Sequence, residues 1–126
     1  MEIFGYYLNT EVVEKYNFFQ ETDSKSFEFN LQSKNDRLNQ PMKFEIKDLN
    51  GGIYLCEKSN FNLIWLGEIV VKKENYKNDS HCYQNESMFD YHGIKKALCG
   101  KIGYHEDYQF NGEKFTPKRI LVIQMK

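Results

Sequence analysis

The stretch Ser26-Phe27-Glu28-Phe29-Asn30-Leu31 alternates apolar and polar side chains without a break, and a repeat of two is the repeat of a β-strand. Read alone, it places Phe27, Phe29 and Leu31 on a buried face and turns Glu28 and Asn30 to solvent. Beyond it, Gln32 to Pro41 is polar and carries Asn35, Asp36, Asn39 and Pro41, residues that favour turns over strand ladders. Met42, Phe44 and Ile46 then alternate with Lys43, Glu45 and Lys47 as a second strand. It ends at Asp48-Leu49-Asn50-Gly51-Gly52, where a hairpin turn into a third strand, Ile53 to Cys56, is expected. Phe61 to Val71 reads as one longer strand interrupted at Gly67 by a bulge or a close backbone approach.

Working outward, Ile3 to Tyr7 reads as a strand, whereas Thr10 to Phe19 is ambiguous. Its Val12, Val13, Tyr16 and Phe19 fall near helical spacing behind a Thr10 cap. Lys72 to Met88 loses apolar periodicity and is expected to be a long surface loop. Ile94, Ala97 and Leu98, with Gly100 behind them, suggest a helical turn between Gly93 and Cys99. Phe115 to Met125 contains Ile120-Leu121-Val122-Ile123, apolar on both faces, which predicts a central, covered strand. Short strands, a single alanine (Ala97) and little helical periodicity point to an antiparallel sandwich or barrel.

The chain has 126 residues, 40% of them apolar and 16% aromatic. That is one domain, 1–126, able to bury a core without staples, since chains near ~150 residues bury roughly 70% of their unfolded surface. With 17 basic against 18 acidic side chains, no excess of charge argues for nucleic-acid or acidic-lipid binding. The N-terminus lacks the basic start and the ~7–15-residue apolar run of a secretory signal. Nor does any window approach the ~18 apolar residues of a membrane helix. Cys56, Cys82 and Cys99 are an odd number, as in a reducing cytoplasm where thiols act as small core hydrophobes.

Sites for chemistry are sparse. His81, His92 and His105 share a third of the chain with Cys82 and Cys99, but without paired ligands two to four residues apart no tetrahedral metal site closes. His81 and Cys82 are adjacent, and adjacent side chains on an extended strand point to opposite faces, against a thiol–imidazole pair. The histidines read as exposed loop residues and the thiols as buried. Glu106, Asp107 and Glu113 read as solvated charges of an exposed hairpin. Gly51-Gly52 and Gly100-Lys-Ile-Gly103 lack the context of a phosphate-binding loop, and Lys72-Lys73 and Lys95-Lys96 are doublets too small for a nucleic-acid footprint. No catalytic, metal or cofactor-binding residue is assigned.

In order, Ile3-Phe4-Gly5-Tyr6-Tyr7, Asp23 to Leu31, Pro41-Met-Lys-Phe44, Gly52-Ile53-Tyr54, Trp65-Leu66-Gly67-Glu68-Ile69 and Phe115 to Gln124 resemble the strands of the TLDc domain. This is the module of oxidation-resistance proteins, here in a divergent, protist-like form. Two departures stand out: the family's segment ahead of the Phe-Gly strand is missing, and Trp65-Leu66-Gly67 replaces its aromatic–glycine pair. The resemblance implies a mainly β fold, a two-sheet antiparallel β-sandwich with one or two short edge helices. It also implies a non-enzymatic intracellular protein-interaction role, with vacuolar proton pump subunits or a stress-response protein as partner. On that reading the contacts come from loops 72–88 and 100–114, with Tyr76, Tyr83, Tyr104 and Tyr108 as interaction candidates because tyrosine is favoured at interfaces. The alternative is a small-ligand or carbohydrate-binding sandwich using the same tyrosines. An edge left open by the missing segment makes a homodimer an expectation.

Overall fold

The computed structural model describes residues 1–34, 38–47, 52–98, 103–105 and 110–124, and for 103–105 and 110–113 the backbone alone. The alternating segments of the sequence become strands: β1 (Ile3–Tyr7), β2 (Phe18–Glu21), β3 (Phe27–Gln32), β4 (Met42–Glu45) and β5 (Gly52–Leu55). They are followed by β6 (Asn62–Leu66), β7 (Ile69–Lys72), β8 (Ser80–Tyr83), β9 (Gly103–His105) and β10 (Phe110–Phe115). Every strand pair is antiparallel. A three-stranded sheet has the order β1-β3-β4 and a seven-stranded sheet the order β2-β5-β6-β7-β8-β10-β9, and their facing sides build a β-sandwich. Between β7 and β8 a short 3-10 helix, Glu74–Asp79, sits at the edge.

The core lies between the sheets. Phe44 of β4 packs with Ile69 and Val71 of β7 and Cys82 of β8, and the strap 88–98 closes one end with Phe89, Tyr91, Ala97 and Leu98. Phe44, Ile69, Val71, Phe89 and Leu98, removed from water, each contribute about 1.5–3 kcal/mol. Gln84 staples the strap from beneath: its side-chain amide donates to Ile94 O, and its carbonyl oxygen accepts from Ala97 N at 2.8 Å.

The face expected to be buried on β3 is the outer one. Glu28 and Asn30 are 0% exposed and Leu31 is 54% exposed. Register explains the inversion. Glu28 stands between Tyr6 of β1 and Phe44 of β4, and Asn30 between Phe4 and Met42. With the neighbouring strands both presenting aromatic and aliphatic residues inward, a repeat of two leaves β3 no choice but to send its polar residues the same way. Phe27 and Phe29 cover the outer surface instead. Phe27 stacks 4.9 Å from Tyr7 with the Lys43 ammonium 4.5 Å over its ring, and Phe29 lies over Gly5, where a Cβ would come within 2.9 Å of the ring.

Five other expectations are corrected. Phe61 to Val71 is not one bulged strand but a hairpin, β6–β7, closed by Gly67-Glu68 with Leu66 opposite Ile69. Gly67 has φ +58° while Glu68 does not enter the left-handed region, the pattern of a two-residue turn whose twist matches its strands. β4 and β5 belong to different sheets and do not pair as the expected hairpin; the turn expected at 48–51 lies outside the described residues. Segment 93–98 forms turns, not a helix: His92, Gly93 and Lys96 have φ of 55°, 75° and 59°, each a break in helical geometry. Cys99 and the Gly100 cap lie outside the described residues.

Lys72 to Met88 is not a surface loop, since Ser80, His81 and Cys82 of β8 are buried, and His81 is therefore not an exposed histidine. Last, the central strand expected at 115–125 stops at Phe115. Ile120, Leu121, Val122 and Ile123 are 50%, 71%, 95% and 75% exposed. The ambiguous segment 10–19 is not helical. Gln20 holds it, accepting from Val13 N at 2.8 Å and donating to Thr10 Oγ1 at 3.1 Å and Glu11 O at 2.7 Å.

Gly67 gives a test of the turn. A Cβ there would meet Phe89 Cζ and Tyr6 Cε2, each at 2.9 Å, in a backbone conformation that already disfavours L side chains. Gly67→Ala is expected to destabilise the fold by about 1–3 kcal/mol, read as a lowered denaturation midpoint at unchanged m-value.

Candidate functional site

Two clusters of polar groups stand out, one buried and one open. In the buried one, Tyr91 Oη donates to Glu28 Oε1 at 2.6 Å and lies 3.5 Å from Tyr83 O. The backbone N–H of Glu68, in the β6–β7 turn, donates to Glu28 Oε2 at 3.1 Å. Both Glu28 oxygens accept, which suits a carboxylate, and the short O–H···O geometry is that of a charge-assisted bond. Burial, and then the Glu28 charge, push the Tyr91 hydroxyl far above its ordinary range. Burial also raises the Glu68 carboxyl from its ordinary 4.5 to about 7. Tyr6, on the same face of the smaller sheet, donates to Thr22 Oγ1 at 3.2 Å and is likewise raised by burial. Nearby, Asn30 Nδ2 donates to Leu98 O at 2.6 Å and to Glu2 Oε2 at 3.4 Å. The cluster can hold two sheets and a strap together, but Glu28 and Tyr91 are sealed from any substrate.

The open cluster is a groove of about 370 Å³ between the 3-10 helix and the chain beyond β10. One wall carries Lys72, Lys73, Glu74 and Lys77. The other carries Pro117, Lys118, Arg119 and Ile120, with Leu63 of β6 completing the lining. Two contacts hold the walls at this spacing: Thr116 Oγ1 donates to Asn78 Oδ1 at 3.0 Å, and Lys114 Nζ lies 3.8 Å from Asp79 Oδ1. Lys73 Nζ is held by Glu57 O at 2.8 Å and Lys58 O at 2.6 Å, and Lys77 Nζ by Glu74 Oε1 at 2.8 Å. Beside the groove, β6 turns Leu63 and Trp65 outward while Ile64 and Leu66 face the core, and Phe61, just ahead of the strand, is exposed.

Of the four candidate tyrosines, the two whose side chains are described, Tyr76 and Tyr83, do not meet. Tyr76 is on the 3-10 helix, its exposed ring edge-on to Phe61 at 4.8 Å. Tyr83 is not in a loop but half-buried in β8, against the His81 ring at 4.8 Å. Tyr104 is in β9, opposite Asn111 of β10, and Tyr108 lies outside the described residues. Cys82 enters the core and His81 the opposite face, where its Nδ1 is 2.9 Å from Asp79 O. Among the described residues no three His, Cys, Asp or Glu side chains converge, and no helix is long and apolar enough to cross a membrane. Sequence reasoning missed the cations of the groove. The signal was present as the doublets Lys72-Lys73 and Lys118-Arg119, but nothing in their spacing brings them together.

The Glu68 carboxyl sets a pH dependence. Glu68, half-buried, is harder to ionise in the folded chain than in the unfolded one. Between pH 4.5 and 7 the folded state therefore binds the extra proton, and stability falls as pH rises. The loss is at most about 3 kcal/mol at one pKa unit per 1.36 kcal/mol. Glu68→Gln is expected to flatten the profile of unfolding free energy across this window. Tyr91→Phe, which strips Glu28 of a donor, is expected to cost about 1–3 kcal/mol at neutral pH in the same denaturation assay.

No family model, no curated protein and no solved structure matches this chain.

Proposed function

We propose that the chain is a non-enzymatic protein-interaction module of TLDc type, acting in the cytoplasm. It docks its protein partner on the outer side of the larger sheet beside the groove. The observation that carries this reading is the set Phe61, Leu63, Trp65 and Tyr76, all exposed, with Tyr76 against Phe61 and the exposed Ile120 lining one groove with Leu63. Contiguous exposed apolar surface rimmed by charge marks interaction sites, and Trp and Tyr are the side chains that most often anchor them. The ordered strand motifs support the TLDc type and, through it, vacuolar proton pump subunits or a stress-response protein as partner. A catalytic reading gains little: the Glu28 carboxylate that accepts from Tyr91 and from the Glu68 N–H is sealed in the core. Of the four tyrosines, Tyr76 is the one this reading retains as an anchor.

The test is capture of proton-pump subunits from cytosol on the tagged chain, followed by affinity measurement with the purified subunit. A folded Trp65→Ala, Tyr76→Ala variant is expected to lose about 30-fold or more in affinity, the effect of removing a hot spot of about 2 kcal/mol. Equal affinity in the variant overturns the docking face.

A further inference from the structure

We infer that the groove between the 3-10 helix and residues 117–120 is a binding site for a phosphate monoester. Five cations, Lys72, Lys73, Lys77, Lys118 and Arg119, line it against one carboxylate, Glu74. That carboxylate is engaged with Lys77 at 2.8 Å. Among the described residues no acidic side chain lies in ion-pair range of Lys72, Lys73, Lys118 or Arg119, whereas Lys114 just outside the groove has Asp79. Like charges gathered in one concavity repel each other and raise the local potential, and an anion relieves both effects.

The geometry favours a dianion over a single carboxylate. The volume of about 370 Å³ falls within the range of small-ligand sites. Lysines come from one wall, and the opposite wall brings a guanidinium whose planar fork grips two oxygens of one phosphate. A phosphate monoester carries about −1.5 to −2 charges near pH 7 and three acceptor oxygens, enough to engage both walls at once. Two features prepare the site before any ligand arrives. Lys73 is positioned by the Glu57 and Lys58 carbonyls, and the Thr116–Asn78 hydrogen bond fixes the backbone leading into Pro117, whose ring restricts the chain at the start of the far wall. Leu63, Pro117 and Ile120 supply an apolar border for the carbon side of the ester. The inference does not depend on the docking anchors: Trp65 and Tyr76 are not part of the groove lining, and the two surfaces share only Leu63 and Ile120 at their common border.

The experiment is an amide NMR titration of the full chain at constant ionic strength with inorganic phosphate, O-phosphoserine and, as reference, chloride. A parallel co-sedimentation uses phosphatidylcholine vesicles with and without phosphatidic acid. Saturable shifts centred on Lys72, Lys73, Lys118 and Arg119, weakened about tenfold or more by Lys72→Gln with Arg119→Gln in a variant keeping its folded spectrum, support the site; tenfold corresponds to one lost charge-assisted contact. Phosphoserine binding without vesicle binding identifies a soluble phosphomonoester as the source. Shifts with inorganic phosphate together with binding to phosphatidic acid vesicles identify a lipid headgroup. Shifts that do not saturate, equal those of chloride, or survive the double substitution overturn it. The Trp65→Ala, Tyr76→Ala variant is expected to titrate like the parent, so loss of partner docking and loss of phosphate binding are read separately.

Discussion

The carboxylate of Glu28 ties together three parts of the fold: the smaller sheet, the strap that bridges to the end of β4 through Ile46 and Phe89, and the β6–β7 turn. It sits on β3 in the smaller sheet, accepts the Tyr91 hydroxyl from the strap, and accepts the Glu68 N–H from the β6–β7 turn of the larger sheet. Removing a charge from water is costly unless hydrogen bonds replace the lost hydration. With both oxygens engaged at a fully buried position, the cluster specifies how the sheets face each other as well as adding to cohesion. An alternative packing that pulled the turn or the strap away would leave a carboxylate in the core with no donor, a far larger penalty than the loss of any one apolar contact. Gly67 belongs to the same constraint, because the tight turn it permits is what aims the Glu68 N–H at Glu28.

The larger sheet is asymmetric in how it uses its two faces. Its inner face packs against the smaller sheet, and its outer face presents Leu63 and Trp65 of β6, with Phe61 exposed just ahead of the strand. The 3-10 helix stands at the same edge, with Tyr76 against Phe61 and Lys77 lining the groove. The chain after Phe115 then crosses to form the groove's second wall and leaves Ile120 to Ile123 uncovered. An apolar face and a cationic recess thus share one side of the molecule, and the sealed Glu28 cluster lies away from both. A division of labour follows, with polar groups inside holding the sandwich and aromatic and basic groups outside meeting ligands.

Much of the fold was legible because a period of two is a local property. Ile3–Tyr7, Phe27–Leu31, Met42–Phe44 and Ile53–Leu55 each declare a strand through their own side chains, and each is one. Where reading failed, the deciding information lay elsewhere in the chain. Ser80 to Tyr83 has no alternation of polarity, yet it becomes a strand because β7 and β10 flank it and hydrogen-bond to both its sides. Ile120 to Ile123 has the apolar character of a central strand, yet no described strand pairs with it. The candidate site was less legible still. Tyr76 stands out as a residue type, but Phe61, which its ring meets, reads only as part of a strand, and each doublet of cations is too small by itself to mark a site.

The sequence by itself determined the class: alternation, β-branched and aromatic runs and turn residues commit the chain to antiparallel strands, since these preferences act within a few residues. Tertiary structure decided which side of each strand is inside. β3 shows why: its own alternation argued for burying Phe27 and Phe29, but Phe4, Tyr6, Met42 and Phe44 on both neighbours pointed inward, and a shared pleat forced Glu28 and Asn30 to follow. It also decided that Lys72, Lys73, Lys118 and Arg119 would face one another, because proximity between residues some forty positions apart is set by the path of the chain and not by its composition.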